Sequence, residues 1–274
     1  MFSITKYLTM IIPPLSGKLD QNNFFVYAAA DSGYFDKFGR QLVNSVKQNT
    51  NYGVHLHLYN PTPGQLDFCH QTDRVSVTWE TFAPEQFESA IQHWSRTNLP
   101  EPQNSRKNKM LGLKQFTDNT NLPMWIYKTY YACMRFVRLA EFVTEPCRFL
   151  EIDIDGIVRA PFQLEFADDA TKDFYLYQKE KGGHLAGAIL YTPKATAVQF
   201  IKELAQVIRH EIEQDNIYWF LDQHSLDSVI AKYNKGLLPI SYVDWRMQSD
   251  SAIWSAKGKR KELEIFKQEL RKYQ

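Results

Sequence analysis

The sequence predicts an α/β fold: a central, mostly parallel sheet flanked by helices. Three observations point to it. Phe24-Phe25-Val26-Tyr27-Ala28-Ala29-Ala30 is an unbroken apolar run closed by Asp31-Ser32-Gly33, the pattern of a strand buried on both faces and ended by a turn. A helical spacing follows through Phe38, Leu42, Val43 and Val46, and Val54-His55-Leu56-His57-Leu58-Tyr59 reads as a second strand, which completes a βαβ unit. A second apolar helix, Trp125 to Val143, then leads into the apolar run Phe149 to Val158.

In chain order, residues 1–22, with Pro13-Pro14, read as an N-terminal leader, and residues 23–274 as one domain with a C-terminal extension. Val75-Ser76-Val77-Thr78-Trp79 reads as a strand, and the polar stretch Arg96 to Lys109, with Pro100 and Pro102, as a loop or flap. Tyr130, Met134, Val137 and Phe136, Leu139, Val143 recur at helical spacing and give Trp125–Val143 a wide buried face, with Cys133 as a small core residue. Phe174–Tyr177 and Ala186–Tyr191 read as strands around the polar turn Lys179 to Gly183. A helix is expected over about Ala195 to Gln214 and another from near Leu221. The basic run Lys257-Gly258-Lys259-Arg260-Lys261 precedes a charged C-terminal helix.

Composition bounds the function. The 274 residues are 44% hydrophobic and 23% charged, the profile of a globular chain with a large core. A net charge of +1 favours neither nucleic acid nor an anionic membrane, so any anion site must be built locally. Cys69, Cys133 and Cys147 have no CxxC spacing and suggest neither a disulfide framework nor a zinc site. Tyr7 to Ile12 is too short for a signal peptide, and no apolar run nears the ~20 residues that span a bilayer. The expectation is a cytoplasmic protein without a transmembrane segment or nucleic-acid partner; peripheral membrane contact stays open.

The chemistry concentrates in a few places. Asp153 and Asp155 close the Phe149–Val158 run, and an unpaired carboxylate at the end of a buried strand costs several kcal/mol, so the pair implies a cation. At i and i+2 of a strand they would face one site, roughly 7 Å apart at the backbone, and all-oxygen ligands suit Mg²⁺ or Mn²⁺. Solvated aspartates at a strand end are the plainer alternative. Lys257 and Lys259 around Gly258 could converge on a diphosphate, whereas most such runs are solvated tails. Asp222-Gln223 offers a carboxylate and an amide to sugar hydroxyls, or Asp222 simply caps a helix. Arg138 reads as a helix-surface partner of Glu141; Arg135 sits on the helix that feeds the aspartate strand. His184, after Gly182-Gly183, is either a metal ligand or a structural residue.

Taken together and in this order, these pieces resemble the GT-A-fold nucleotide-sugar glycosyltransferases, and within them the group of glycogenin and the bacterial lipopolysaccharide galactosyl- and glucosyltransferases. Ala29-Ala30-Asp31 followed by Tyr34 looks like that group's first strand and nucleotide-binding turn. Met134-Arg135-Phe136 sits where the family carries a helical arginine, and Asp153-Ile154-Asp155 is similar to its DxD segment. Leu221-Asp222-Gln223 matches its acceptor-side Asp-Gln, and Lys257-Gly258-Lys259 resembles its diphosphate-binding lysine region. The resemblance covers roughly residues 24–261 and implies a single GT-A-like (Rossmann-like) domain. It implies a hexosyltransferase that moves a sugar from a nucleoside-diphosphate sugar, UDP-sugar favoured, to a saccharide or other hydroxyl acceptor with retention. Ala29, Asp31, Arg135, Asp153, Lys257, Gly258 and Lys259 would bind the donor, Asp153 and Asp155 the Mn²⁺ or Mg²⁺, and Asp222 and Gln223 would stand near the anomeric carbon.

Two positions depart from the family. Its late metal-binding histidine has no equivalent before Lys257, and its Asn-Ala-Gly strand start is Leu185-Ala186-Gly187 here. Asp153-Ile154-Asp155-Gly156 also resembles the first motif of haloacid-dehalogenase-like phosphatases, with Asp153 as nucleophile. Against that stand Ile157 in place of threonine, the mid-chain position of the motif, and Asp168-Asp169, too close in sequence for the later metal pair. A sugar-binding protein with a degenerate transferase fold is the non-catalytic alternative.

Overall fold

The βαβ unit lies at the centre of the sheet. A computed structural model describes residues 12–20, 24–82, 122–162, 169, 171–178, 184–214, 216–218, 220–248 and 250–274, with backbone only at 122–126. The strands are β1 (Ser16–Lys18), β2 (Phe25–Asp31), β3 (Gly53–Tyr59), β4 (Val75–Glu80), β5 (Phe149–Ile152), β6 (Gly156–Val158), β7 (Phe174–Gln178), β8 (His184–Tyr191), β9 (Lys235–Leu237), β10 (Val243–Asp244) and β11 (Ile253–Ser255). Among the described residues the main sheet runs β1-β4-β3-β2-β5-β8-β7-β9, and β10-β11-β6 forms a small second sheet. Strands β4, β3, β2 and β5 are parallel; β1 and β8 run antiparallel to their neighbours.

The helices are α1 (Ser32–Tyr34), α2 (Arg40–Asn49), α3 (Pro63–Gln71), α4 (Leu122–Phe142), α5 (Ala195–Glu213), α6 (Leu221–Val229) and α7 (Glu264–Arg271). A π-helical stretch, Phe35–Gly39, joins α1 to α2. Helix α3 begins with a capping box between Thr62 and Gln65 and a proline in its first turn, which fits its sequence Thr62-Pro63-Gly64-Gln65.

Two cores cover the two faces of the sheet, as the period of a strand requires. Tyr27 joins Phe149, Phe174, Tyr191 and the apolar faces of α4 and α5 on one side; Val26 and Ala28 join Leu42, Val43 and Val46 of α2 on the other. Cys133 is fully buried in the first of these cores, as its place in the apolar helical run suggests.

Three expectations change. Phe149–Val158 is two strands: β5 stays in the main sheet, a turn closed by Gly156 N–H to the Asp153 carbonyl (2.8 Å) follows, and β6 crosses to the second sheet. The leader is part of the fold where it is described, since Ser16–Lys18 pairs with β4. Arg138 is buried, because besides Glu141 (2.7 Å) it bonds to the Pro13 carbonyl (2.7 Å) and to the buried Glu80 of β4. The expected flap Arg96–Lys109 and turn Lys179–Gly183 lie outside the described residues.

Candidate active site at the carboxyl ends of β2 and β5

Strand β2 lies between β3, which it reaches through α2, and β5, so the direction of winding switches between β2 and β5. Ligands of open α/β sheets bind outside the carboxyl ends of the strands at such a point. Asp31 ends β2, and Asp153 directly follows β5.

Arg135 organises the site from α4. Its guanidinium meets Asp153 Oδ1 at 2.7 Å, Asp222 Oδ2 at 3.3 Å and Glu151 Oε1 at 3.4 Å, and it donates to the Ala186 carbonyl at 2.8 Å. One buried cation thus serves three carboxylates from β5, its following turn and α6. Burial works against the Arg135 charge, yet Asp153, Glu151 and Asp222 outweigh it and raise its pKa. Burial pushes Glu151 up to about 7, against the pull of Arg135 and of the Tyr191 hydroxyl that donates to it at 2.9 Å. Asp222 also rises through burial.

Asp153 behaves differently. Burial favours its neutral form, but Arg135, then Lys257 and Lys261, prevail and hold it below the ordinary carboxylate range. Asp155 is pushed up to about 6 by burial and by Asp153, while Lys261, ion-paired to its Oδ2, pulls the other way. Its Oδ1 is buried without a hydrogen-bond partner. Gly187 on β8 is required by close approach: a Cβ there would lie 2.7 Å from Asp153 Oδ2 and 3.3 Å from Lys257 Nζ.

The fold therefore brings Arg135, Asp153, Asp155, Asp222 and Lys257 together. Gln223 follows Asp222 on α6; the cap residue of that helix is Phe220, at φ 75°, so Asp222 sits in the first turn rather than capping it. Asp31 Oδ1 accepts from the Tyr34 N–H at 2.9 Å and caps α1, and the Tyr34 hydroxyl accepts from Lys261 at 3.2 Å. Ala29 is half-buried in β2, against the first core. Gly258, at φ +59°, turns the chain from β11 into the 3₁₀ segment Gly258–Glu262. Lys259 is exposed there; Lys261, two residues on, is the lysine that reaches Asp155. His184 is engaged elsewhere, with Asp227 at 2.7 Å and Lys235 at 2.9 Å.

Sequence reasoning missed Glu151 and Lys261. Both had a signal: Glu151 precedes Asp153 by two residues, and Lys261 follows Lys257 by one helical turn. The expected Mn²⁺ or Mg²⁺ does not fit this donor set as it stands. Arg135 holds one oxygen of Asp153, Lys261 holds one of Asp155, and no group of three His, Cys, Asp or Glu able to hold a metal occurs among the described residues.

No protein-family model and no curated protein matches the chain. Among solved structures it is similar to the galactosyltransferase LgtC in complex with donor and acceptor sugar analogs. The TM-score is 0.52 at 11% identity, over 91% of this chain and 96% of that one. Mouse xyloside xylosyltransferase 1 in its apo form gives 0.48 at 7% identity, over 86% of this chain and 98% of that one. The WbbM bifunctional glycosyltransferase gives 0.48 at 14%, over 82% of this chain and 41% of that one. The LgtC likeness establishes the expected GT-A-like architecture. No described helix is long and apolar enough to cross a membrane.

Proposed function

We propose that this protein is a glycosyltransferase that moves a sugar from a nucleoside-diphosphate sugar, a UDP-sugar first, to a saccharide or other hydroxyl acceptor with retention. The observation that carries the reading is the convergence of Asp153, Asp155, Lys257 and Lys261 outside the carboxyl ends of β2 and β5, on a fold shared with LgtC. The ammonium groups suit a diphosphate, and Asp153 suits the ribose side of the donor. Through Arg135, Asp153 is fixed relative to Asp222, and Asp222 with Gln223 suits the anomeric side.

In the transfer, the bond from the anomeric carbon to the β-phosphate oxygen breaks and its electron pair stays on the diphosphate. The acceptor oxygen bonds to the anomeric carbon on the same face, and its proton passes to the departing diphosphate. The resemblance implies Mn²⁺ or Mg²⁺ as the counter-charge to that anion; the lysines beside the aspartates are the competing counter-charge. Three free thiols suit a reducing, cytoplasmic setting.

A panel of nucleotide sugars, with and without simple sugar acceptors, tests the reading by released nucleoside diphosphate. Turnover of at least one donor, abolished by Asp153→Asn, is expected. Release of phosphate from simple phosphate esters, lost in the same variant, would instead favour the phosphatase alternative.

A further inference from the structure

We infer that this chain balances the departing diphosphate with its own ammonium groups, Lys261 above all and Lys257 beside it, and works without a divalent metal. The inference rests on the nucleotide-sugar reading and sharpens it.

Lys261 is seated by the fold. Its ammonium is ion-paired to Asp155 Oδ2, donates to the Tyr34 hydroxyl at 3.2 Å, and lies 5.0 Å and 5.7 Å from the ring centroids of Tyr34 and Phe38. The side chain is only 19% exposed, unusual for a lysine, and the Asp155 carboxylate supplies the counter-charge there. The residues that hold it are themselves held, since Asp31 caps the short helix that carries Tyr34.

Lys257 is placed from the other side. It lies 5.1 Å from the Trp245 ring centroid, and its Nζ crowds Gly187 together with Asp153 Oδ2. The left-handed Gly258 and the 3₁₀ segment Gly258–Glu262 bring Lys261 onto Asp155 with Lys257 beside Asp153, while Arg260 is turned to the Trp245 carbonyl at 2.8 Å.

A metal bridging Asp153 and Asp155 would have to compete with Lys261 for Asp155 and would stand beside Arg135 and Lys257. Like charges at such distances repel strongly where water is scarce. An ammonium has three donors, and Asp155 and Tyr34 take two from Lys261, which leaves one for a phosphate oxygen. Asp155 then acts as the seat of Lys261, and Asp153, held by Arg135, stands beside Lys257.

The test is thermal shift of the full-length chain with UDP, GDP, ADP and dTDP, in EDTA and again in Mn²⁺. Expected is stabilisation by at least one nucleotide in EDTA, with an apparent Kd that Mn²⁺ changes by less than about twofold. Lys261→Met should weaken that binding by about tenfold or more, unrescued by Mn²⁺, and Lys261→Arg should keep most of it. If Lys261→Met melts too early to assay, Lys257→Met provides the same readout. Stabilisation that appears only with Mn²⁺ or Mg²⁺ overturns the inference and leaves the transferase reading intact. So does a Lys261→Met protein that binds as tightly as the wild type once Mn²⁺ is added. If no nucleotide shifts the protein in either buffer, the transferase reading falls and this inference with it.

Discussion

Arg135 and Arg138 stand one helical turn apart on α4, both buried and both paired to carboxylates, yet they build different things. Arg138 closes a sealed cluster: Glu80 is completely buried, Tyr130 donates to it at 3.1 Å, and the Pro13 carbonyl takes another guanidinium N–H. Arg135 closes a cluster with an open end, where the Asp153 side chain is 31% exposed and the neighbouring Asp155 keeps an unpartnered oxygen. A buried ion pair is therefore no sign of function by itself. Unspent hydrogen-bonding capacity beside a partly exposed carboxylate is the better sign.

Variants can break this contrast, and the largest effect belongs to Arg135. Arg135→Met leaves Glu151, Asp153 and Asp222 without their shared cation. It should lower unfolding stability by about 3–5 kcal/mol in urea titration and donor turnover by about 100-fold or more. Arg138→Met should cost a similar about 3–5 kcal/mol through the stranded Glu80, but turnover per folded molecule should stay within about twofold. A loss of turnover equal to that of Arg135→Met would erase the distinction between the two clusters.

The smallest effect is one of pH. Glu151 is pushed from an ordinary 4.5 to about 7 in the folded chain. Its contribution to stability is fully present below 4.5 and is lost as pH rises through about 7, because the unfolded chain then releases its proton more readily. Glu151→Gln stays neutral, so wild-type stability should fall relative to the variant between about pH 5 and 8, by on the order of 1–3 kcal/mol. Parallel pH–stability curves for the two proteins would show that Arg135 keeps Glu151 ionised throughout.

The strand, helix, strand order was legible because each element carries its own period: the apolar run of β2, the helical spacing of Leu42, Val43 and Val46, and the wide face of α4. Asp153 and Asp155 were legible as carboxylates out of place in an apolar run. The break between them was not, because Ile152 and Ile157 look alike in sequence while they enter different sheets. Arg138 and Glu141 have the spacing of a surface pair, and nothing local reveals that β4 brings Glu80 over them.

The sequence by itself determined the α/β class, the residues that carry charge in apolar surroundings, and their order along the chain. These follow from hydrophobic periodicity and from the cost of burying a charge, both local properties. Only the tertiary structure decided which cation meets which carboxylate: Arg135 with three of them, and Lys261 rather than Lys259 with Asp155. Pairings of that kind join residues 16 to 106 positions apart. They depend on where strands and turns cross, and no local pattern encodes that.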